Sequence, residues 1–193
     1  MSGEESVTQP VLCLKVGEKY CSFAIVDKAS DAVQSLVYYT TERVSEEILD
    51  EIAAAHPELK ASFHSVLVCY DQPSSVMLPA ALAPDIAPPM LIHVMDGSNG
   101  RTSVFEDSLD ALQVQNKYAV PAKVANWIKA RFSSAAIFHL HSVLLSCGHI
   151  AADNKGTMLL DIKHENISLV VVKGNHLLLA SDYSYSTPED VLY

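Results

Sequence analysis

Several features that would point directly to a function are missing from this sequence. No apolar run reaches the roughly 18–20 residues that a membrane helix needs, so membrane insertion is not expected. The opening residues MSGEESVTQP are acidic and polar, unlike an export signal. Lysine and arginine number 13 against 23 acidic residues, giving a formal net charge of −10, and they are scattered along the chain. That balance argues against a broad basic footprint for nucleic acid or anionic lipid. The four cysteines (Cys13, Cys21, Cys69, Cys147) form no CxxC pair. Without an export signal they read as buried thiols in a reducing compartment, so the expected location is cytoplasmic. GxSxG, HExxH and P-loop motifs are absent, and Ser146-Cys147-Gly148 lacks the context of a nucleophile elbow.

What is present is a folded chain. Apolar residues make up 49% of the 193, enough for one domain or two small ones with a sizeable core. The most informative stretch is 156–193. Apolar runs at Met158–Ile162, Ile167–Val172 and His176–Ser181 are separated by Lys163–Asn166 and by a Lys173-Gly174-Asn175 turn. That pattern predicts a three-stranded antiparallel meander. A helix start follows, with Thr187 as cap, Pro188 at the first helical position and two acids favoured by the helix dipole.

Earlier in the chain, residues 1–10 read as a disordered start. Val11–Val16, Cys21–Asp27 and Val33–Tyr39 are strand-like. Ser45 caps SEEILDEIAAAH, in which Ile48, Ile52 and Ala55 recur at helical spacing until Pro57. Phe63–Tyr70 is almost continuously apolar, the pattern of a strand buried on both faces and lying parallel beside the first strand. The order strand-strand-strand-helix-strand is echoed by 156–193, without clear residue identity between the copies. Between them, Ser74–Pro79 reads as a short strand and Ala80–Pro89 as a linker. Leu91–Val94 with Thr102–Phe105 reads as a loose hairpin, and Ala111–Ala119 as a strand. Val124, Trp127, Ile128 and Phe132 form one helical stripe. Ala135–His139 is a short strand and Val143–Ala151 a helix. The polar quartet Asp153-Asn154-Lys155-Gly156 marks a boundary between a first domain, 11–153, and the start of an incomplete second, 154–193.

The segments FHSVLVCYDQPSSVMLPAAL (63–82), IFHLHSVLL (137–145) and LLLASDYSYSTPEDVLY (177–193) resemble an uncharacterised bacterial family. That family has an actin-like ATPase (ribonuclease H-like) fold and is distantly similar to actin-like pilus-assembly and cell-division proteins. The resemblance implies an α/β fold with a mixed sheet in βββαβ order, whose second copy is truncated here. It also implies two phosphate-binding hairpins of the form Asp-x-Gly, where Asp positions a metal and Gly admits backbone N–H groups to the phosphate. This chain has Lys15-Val16-Gly17 in the first and Asp161-Ile162-Lys163 in the second. The nucleotide-site candidates are therefore Lys15, Gly17, Asp161 and Lys163, each hairpin lacking one of its two key residues. The adenosine segment of that superfamily would lie beyond Tyr193. No cofactor is expected, ATP and Mg²⁺ being disfavoured. Lys15 and Lys163 read as solvated turn residues, with direct anion contact as the functional alternative.

Other clusters have plainer readings. His139-x-His141 could place two imidazoles on one strand face, with Cys147 and His149 nearby as further zinc ligands, but packing is the simpler account. His164 and His176, flanking the last hairpin, could approach across strands or be exposed turn residues. Glu46, Glu47, Asp50 and Glu51 read as a solvated helix face, not a catalytic carboxylate pair. Tyr183 and Tyr185 either cover the sheet or line a partner groove. The expected function is a non-catalytic actin-like protein that binds a protein partner, or self-associates through residues 157–193; the alternative is a nucleotide-binding ATPase or kinase. The last meander leaves one apolar face and a strand edge to be covered by further chain, a second copy or another protein. The resemblance, which implies a longer second domain, favours further chain.

Overall fold

A computed structural model describes residues 9–85, 102–151 and 155–191. Eleven described strands and three described α-helices follow in this order: β1 (Pro10–Gly17), β2 (Tyr20–Asp27), β3 (Ala32–Thr40), α1 (Glu46–Ala55), β4 (Ser65–Asp71), β5 (Ser75–Pro79), β6 (Thr102–Leu109), β7 (Val114–Pro121), α2 (Ala122–Arg131), β8 (Ala136–His139), α3 (Leu140–Ala151), β9 (Thr157–Ile162), β10 (Asn166–Lys173) and β11 (His176–Ser184). They fall into two compact units. One comprises Met1–Gln72, Ser98–Ser103 and Ala119–Phe138; the other comprises Pro73–Gly97, Val104–Tyr118 and His139–Tyr193.

The first unit is built on a five-stranded sheet in the order β3-β2-β1-β4-β8. β1, β2 and β3 form the expected antiparallel meander, and β4 lies parallel beside β1 with α1 as the crossover. α1 starts where the sequence dictates, with Ser45 Oγ accepting the Ile48 N–H at 3.4 Å. Leu12, Leu14 and Val16 alternate onto the helix side of β1 and are 0–4% exposed. The same face of β2 carries Phe23, whose ring meets His56, the C-cap of α1, edge-on at 5.0 Å. Each such buried side chain contributes about 1.5–3 kcal/mol of burial free energy.

Several expectations are corrected in this unit. β4 is buried on one side only: Val68 and Tyr70, in register with Leu14 and Val16 on the α1 side of the sheet, are inaccessible, while Leu67 is 40% exposed. The acidic side of α1 is not simply solvated. Glu46 accepts from Lys123 Nζ at 2.7 Å and Asp50 from Trp127 Nε1 at 2.7 Å, which ties α1 to α2. The chain is already ordered at Gln9, whose N–H donates to Asp27 Oδ1 at 2.8 Å; residues 1–8 lie outside the described residues. Of the cysteines, only Cys21 is buried and Cys147 is exposed, and all four thiols are free.

In the second unit, β9, β10 and β11 form the expected final meander, in the order β11-β10-β9. Its inner face packs on α3 and on the short 3₁₀ turn Asp110–Leu112, with Leu112, Leu145, Val170 and Val172 as the buried centre and Leu159 and Leu144 against it. A separate sheet, β5-β7-β6, completes the unit. The strand expected over Ala111–Ala119 starts instead at Val114, because Gln113 adopts a left-handed conformation (φ 53°) that ends the 3₁₀ turn. α3 begins at Leu140, three residues before the expected helix. The expected strand at Leu91–Val94 lies outside the described residues.

The two meanders are copies at the level of the backbone. β2 and β10 are both eight residues long, and β3 and β11 both nine. In each copy the register shifts between the sixth and seventh residues of the middle strand, at Ile25/Val26 and at Val171/Val172. The extra residue is the third of the following strand in both, Gln34 and Leu178. A bulge conserved in place within one chain re-aims the residues beyond it in the same way twice.

Candidate functional site

Lys15 and Gly17 lie at the carboxyl end of β1, in the first unit. A Cβ on Gly17 would stand 2.3 Å from Cε1 of Tyr20, so glycine is required here by the Tyr20 ring itself. That ring is held from three sides. It stacks on Tyr38 at 5.3 Å, its hydroxyl donates to Asp71 Oδ2, and Lys15 Nζ stands 5.5 Å from its centroid. Gln72 Nε2 caps the strand end by donating to the Val16 carbonyl at 3.3 Å. The space beside the Gly17 Cα holds an aromatic side chain of the same hairpin.

Asp161 and Lys163 lie at the end of β9, in the second unit. Asp161 pairs in register with Ser168. Lys163 is not a solvated turn residue: its side chain is 9% exposed, and its ammonium donates to Ser168 Oγ at 2.8 Å with Asp182 Oδ1 at 3.9 Å. Ser168 donates in turn to Asp182, and Tyr185 donates to the Lys163 carbonyl. A lysine stands where the Asp-x-Gly pattern has glycine, and its charge is spent on a carboxylate two strands away.

The same carboxylate receives the histidine pair. His139 and His141 do not share a strand face, because the chain turns from β8 into α3 between them. His141 Nε2 stands 3.3 Å from Asp182 Oδ1. The His141 N–H donates to His139 Nδ1 at 3.2 Å, which assigns the His139 ring proton to Nε2. The His139 N–H donates to Asp107 Oδ2 at 2.7 Å, and Tyr118 donates to Asp107 Oδ1 at 3.2 Å. Beside them Asn116 Nδ2 donates to Ser142 Oγ at 3.0 Å. A polar path therefore runs from Tyr118 through Asp107, His139, His141, Asp182 and Ser168 to Lys163.

The two carboxylates of this path are pushed in opposite directions. Burial raises the pKa of Asp107, against hydrogen bonds from Ser142, the His139 N–H and Tyr118. Burial also works to raise Asp182. There the bonds from His141 and Ser168 and the charges of His141 and Lys163 prevail, and its pKa falls to about 2. Asp182 is thus the fixed anion that compensates the buried Lys163. Among the described residues, no group of three or more His, Cys, Asp or Glu side chains converges to hold a metal ion. His164 and His176 sit at opposite ends of β10, roughly 25 Å apart, and cannot approach each other.

Sequence reasoning missed Tyr20, Asp71, Asp107, Ser168 and Asp182. For Tyr20 a signal existed: a glycine and a large aromatic three residues apart across a tight hairpin. Asp107 follows Glu106 in β6 and Asp182 is the one acid of β11, and nothing local marks either as turned inward.

The sequence profile of a family described as "Protein of unknown function (DUF3822)" matches residues 5–193. Among curated proteins, none matches. Of solved structures, a Bacteroides thetaiotaomicron protein with actin-like ATPase fold and unknown function is similar over 100% of this chain and 77% of its own, with a TM-score of 0.80 and 18% identity. The PilM-PilN type IV pilus biogenesis complex is similar over 91% of this chain and 62% of the matched one, with a TM-score of 0.56 and 15% identity. At these identities the likeness is one of fold: the architecture is actin-like, as the three quoted segments implied.

Proposed function

Since the chain belongs to the DUF3822 family, whose function is unknown, and has an actin-like fold, we propose that it is a non-catalytic member of that architecture which binds a protein partner in the bacterial cytoplasm. One observation carries this reading. Both hairpins that would hold nucleotide phosphates are filled by the chain's own side chains, Tyr20 over Gly17 and Lys163 turned onto Asp182. A phosphate at the first hairpin would have to displace a ring that is stacked and hydrogen-bonded. At the second it would have to recruit a lysine away from its buried carboxylate, at a cost of several kcal/mol.

The partner half of the proposal draws support from the fold of the PilM-PilN complex, in which a similar chain is found assembled with another protein. The backbone repeat supports reading 154–193 as the opening of a second actin-like domain. No described helix is long and apolar enough to cross a membrane, in keeping with the proposed location. Calorimetric titration with Mg-ATP tests the non-catalytic half, with no binding heat expected. Micromolar binding that is lost in Asp161→Ala would overturn it in favour of the nucleotide-binding alternative. Cross-linking in the native host, followed by sizing of the recovered complex with and without ATP, tests the partner half. A complex that dissolves with ATP would count against it.

A further inference from the structure

Tyr39, His56 and Glu58 come together in the first unit from three different elements. Tyr39 stands in β3 opposite Cys21, which puts its ring on the side of the sheet that carries Phe23 and faces α1. Pro57 cannot continue α1, and His56, the C-cap, leaves the helical conformation at φ −121° and ψ 81°. Glu58 follows in the 3₁₀ turn Pro57–Lys60. The His56 imidazole lies edge-on to the rings of Phe23 and Tyr39, with centroids 5.0 and 5.7 Å away, so packing already fixes its orientation.

Both imidazole nitrogens are engaged. Nδ1 lies 2.8 Å from Glu58 Oε1, and Nε2 lies 2.8 Å from the Tyr39 hydroxyl. Hydrogen bonds from its own backbone N–H and from His56 lower the Glu58 pKa, so the carboxyl is an ionised acceptor at neutral pH. A carboxylate only accepts, which puts the imidazole proton on Nδ1 and leaves the Nε2 lone pair to the Tyr39 O–H. A hydroxyl on a base, with the base held by an acid, is the arrangement that activates an oxygen nucleophile. Fastening β3 to the end of α1 needs only the Tyr39 bond. The Glu58 bond joins residues two apart in the chain and adds nothing to that fastening; what it sets is the tautomer. The group can also be reached, the Glu58 side chain being 40% and the His56 side chain 19% exposed, with Tyr39 half-buried.

We propose that Tyr39 is an acyl-acceptor site, its hydroxyl taking the acyl group of an activated ester with His56 as base and Glu58 as positioning residue. As the bond from Tyr39 Oη to the carbonyl carbon forms, the hydroxyl proton passes to His56 Nε2. As the ester C–O bond breaks, the leaving oxygen takes that proton from Nε2. The products are a Tyr39 ester and a free alcohol or phenol, with no change of oxidation state. The Glu58 carboxylate stabilises the imidazolium formed in between and repels a phosphate ester, which favours a neutral acyl donor. Acylation removes the donor that ties β3, the outermost strand of its sheet, to the end of α1. This is a stoichiometric modification and stands apart from the partner-binding reading above.

Treatment of the full 193-residue chain with 4-nitrophenyl acetate tests it, with peptide mass spectrometry to place each acetyl group. Tyr38 is the internal control, being the next residue, 54% exposed and on the other face of β3. Tyr39 should be acetylated at least about tenfold faster than Tyr38. His56→Phe, which keeps a ring against Phe23, should bring Tyr39 down to the Tyr38 rate. Free imidazole should restore the rate in His56→Gly, which it would not do if His56 served packing alone. Glu58→Ala should slow Tyr39 at least about threefold, and Glu58→Gln, which still accepts from Nδ1, should recover part of that rate, with Tyr38 unchanged in both. Equal rates at Tyr38 and Tyr39 would overturn the proposal, as would a Tyr39 rate indifferent to His56→Phe. Transfer to Tyr39 from 4-nitrophenyl phosphate at a comparable rate would overturn the choice of an acyl donor.

Discussion

The first and last meanders have the same strand lengths and the same bulge, yet their equivalent faces differ completely in what they bury. In the first, the β1 face with Leu12, Leu14 and Val16 lies under α1, and β4 fills the edge. In the last, β9 stands at the edge of the sheet among the described residues, and the side that α3 covers is the other one. The described neighbours thus lie on opposite sides of the two meanders, α1 on one side of the first and α3 on the other side of the last. Each copy spends its polar end-residues differently. The first closes its hairpin with an aromatic ring against glycine. The last closes its hairpin with an internal Lys163–Ser168–Asp182 chain.

The sharpest way to break this comparison is a matched truncation. Leu14→Ala should cost about 3 kcal/mol of unfolding free energy, because it empties a packed site. Leu160→Ala should cost less than about 1 kcal/mol in the monomer. Urea denaturation at low protein concentration measures both, and equal losses would mean that the outer face is covered in solution. Next in size, Gly17→Ala should destabilise by about 2 kcal/mol, since the added Cβ overlaps the Tyr20 ring. Lys163→Gly has no such clash and tests the opposite end of the comparison. It should leave Asp182 with His141 and Ser168 alone and lower the urea midpoint by a smaller amount.

The smallest effect is a pH limb. The Asp182 carboxyl stands at about 2 in the fold, against about 3.9 in an unfolded chain. Its contribution is therefore complete above pH about 4 and is lost as pH falls through 2. With a third of the side chain exposed, screening reduces that contribution to about 1 kcal/mol. Asp107 has the opposite sign: its raised pKa favours folding while the group is protonated, and that contribution is lost as pH rises through its folded value. Thermal unfolding between pH 2 and 5 should show a shallower acid limb in Asp182→Asn than in the wild type. Parallel limbs would mean that His141 and Lys163 do not hold the carboxylate.

Much of the fold was legible because it follows from local pattern. The apolar runs Val11–Val16 and Met158–Ile162, the Ser45 cap and the Gly174-Asn175 turn each set an element without help from the rest of the chain. The candidate site was half legible. The hairpin positions of Lys15, Gly17, Asp161 and Lys163 could be named, but not what their side chains do. The error at His139-x-His141 has the same origin. Spacing two apart reads as one strand face, and nothing local marks the turn into α3 at Leu140.

The sequence by itself determined the order of strands and helices, because hydrophobic period, caps and turns are short-range properties of the chain. It did not determine which way Asp182 points. Counting back from the Lys173–His176 pair at the turn would place Ser181 opposite Ser168 and send Asp182 to the outer face. The bulge at Leu178 adds one residue, and Ser168 meets Asp182 instead. Side chains alternate with a period of two, so that single extra residue turned a carboxylate from solvent to the interior. There it found Lys163 and His141, and only the tertiary structure could bring those three together.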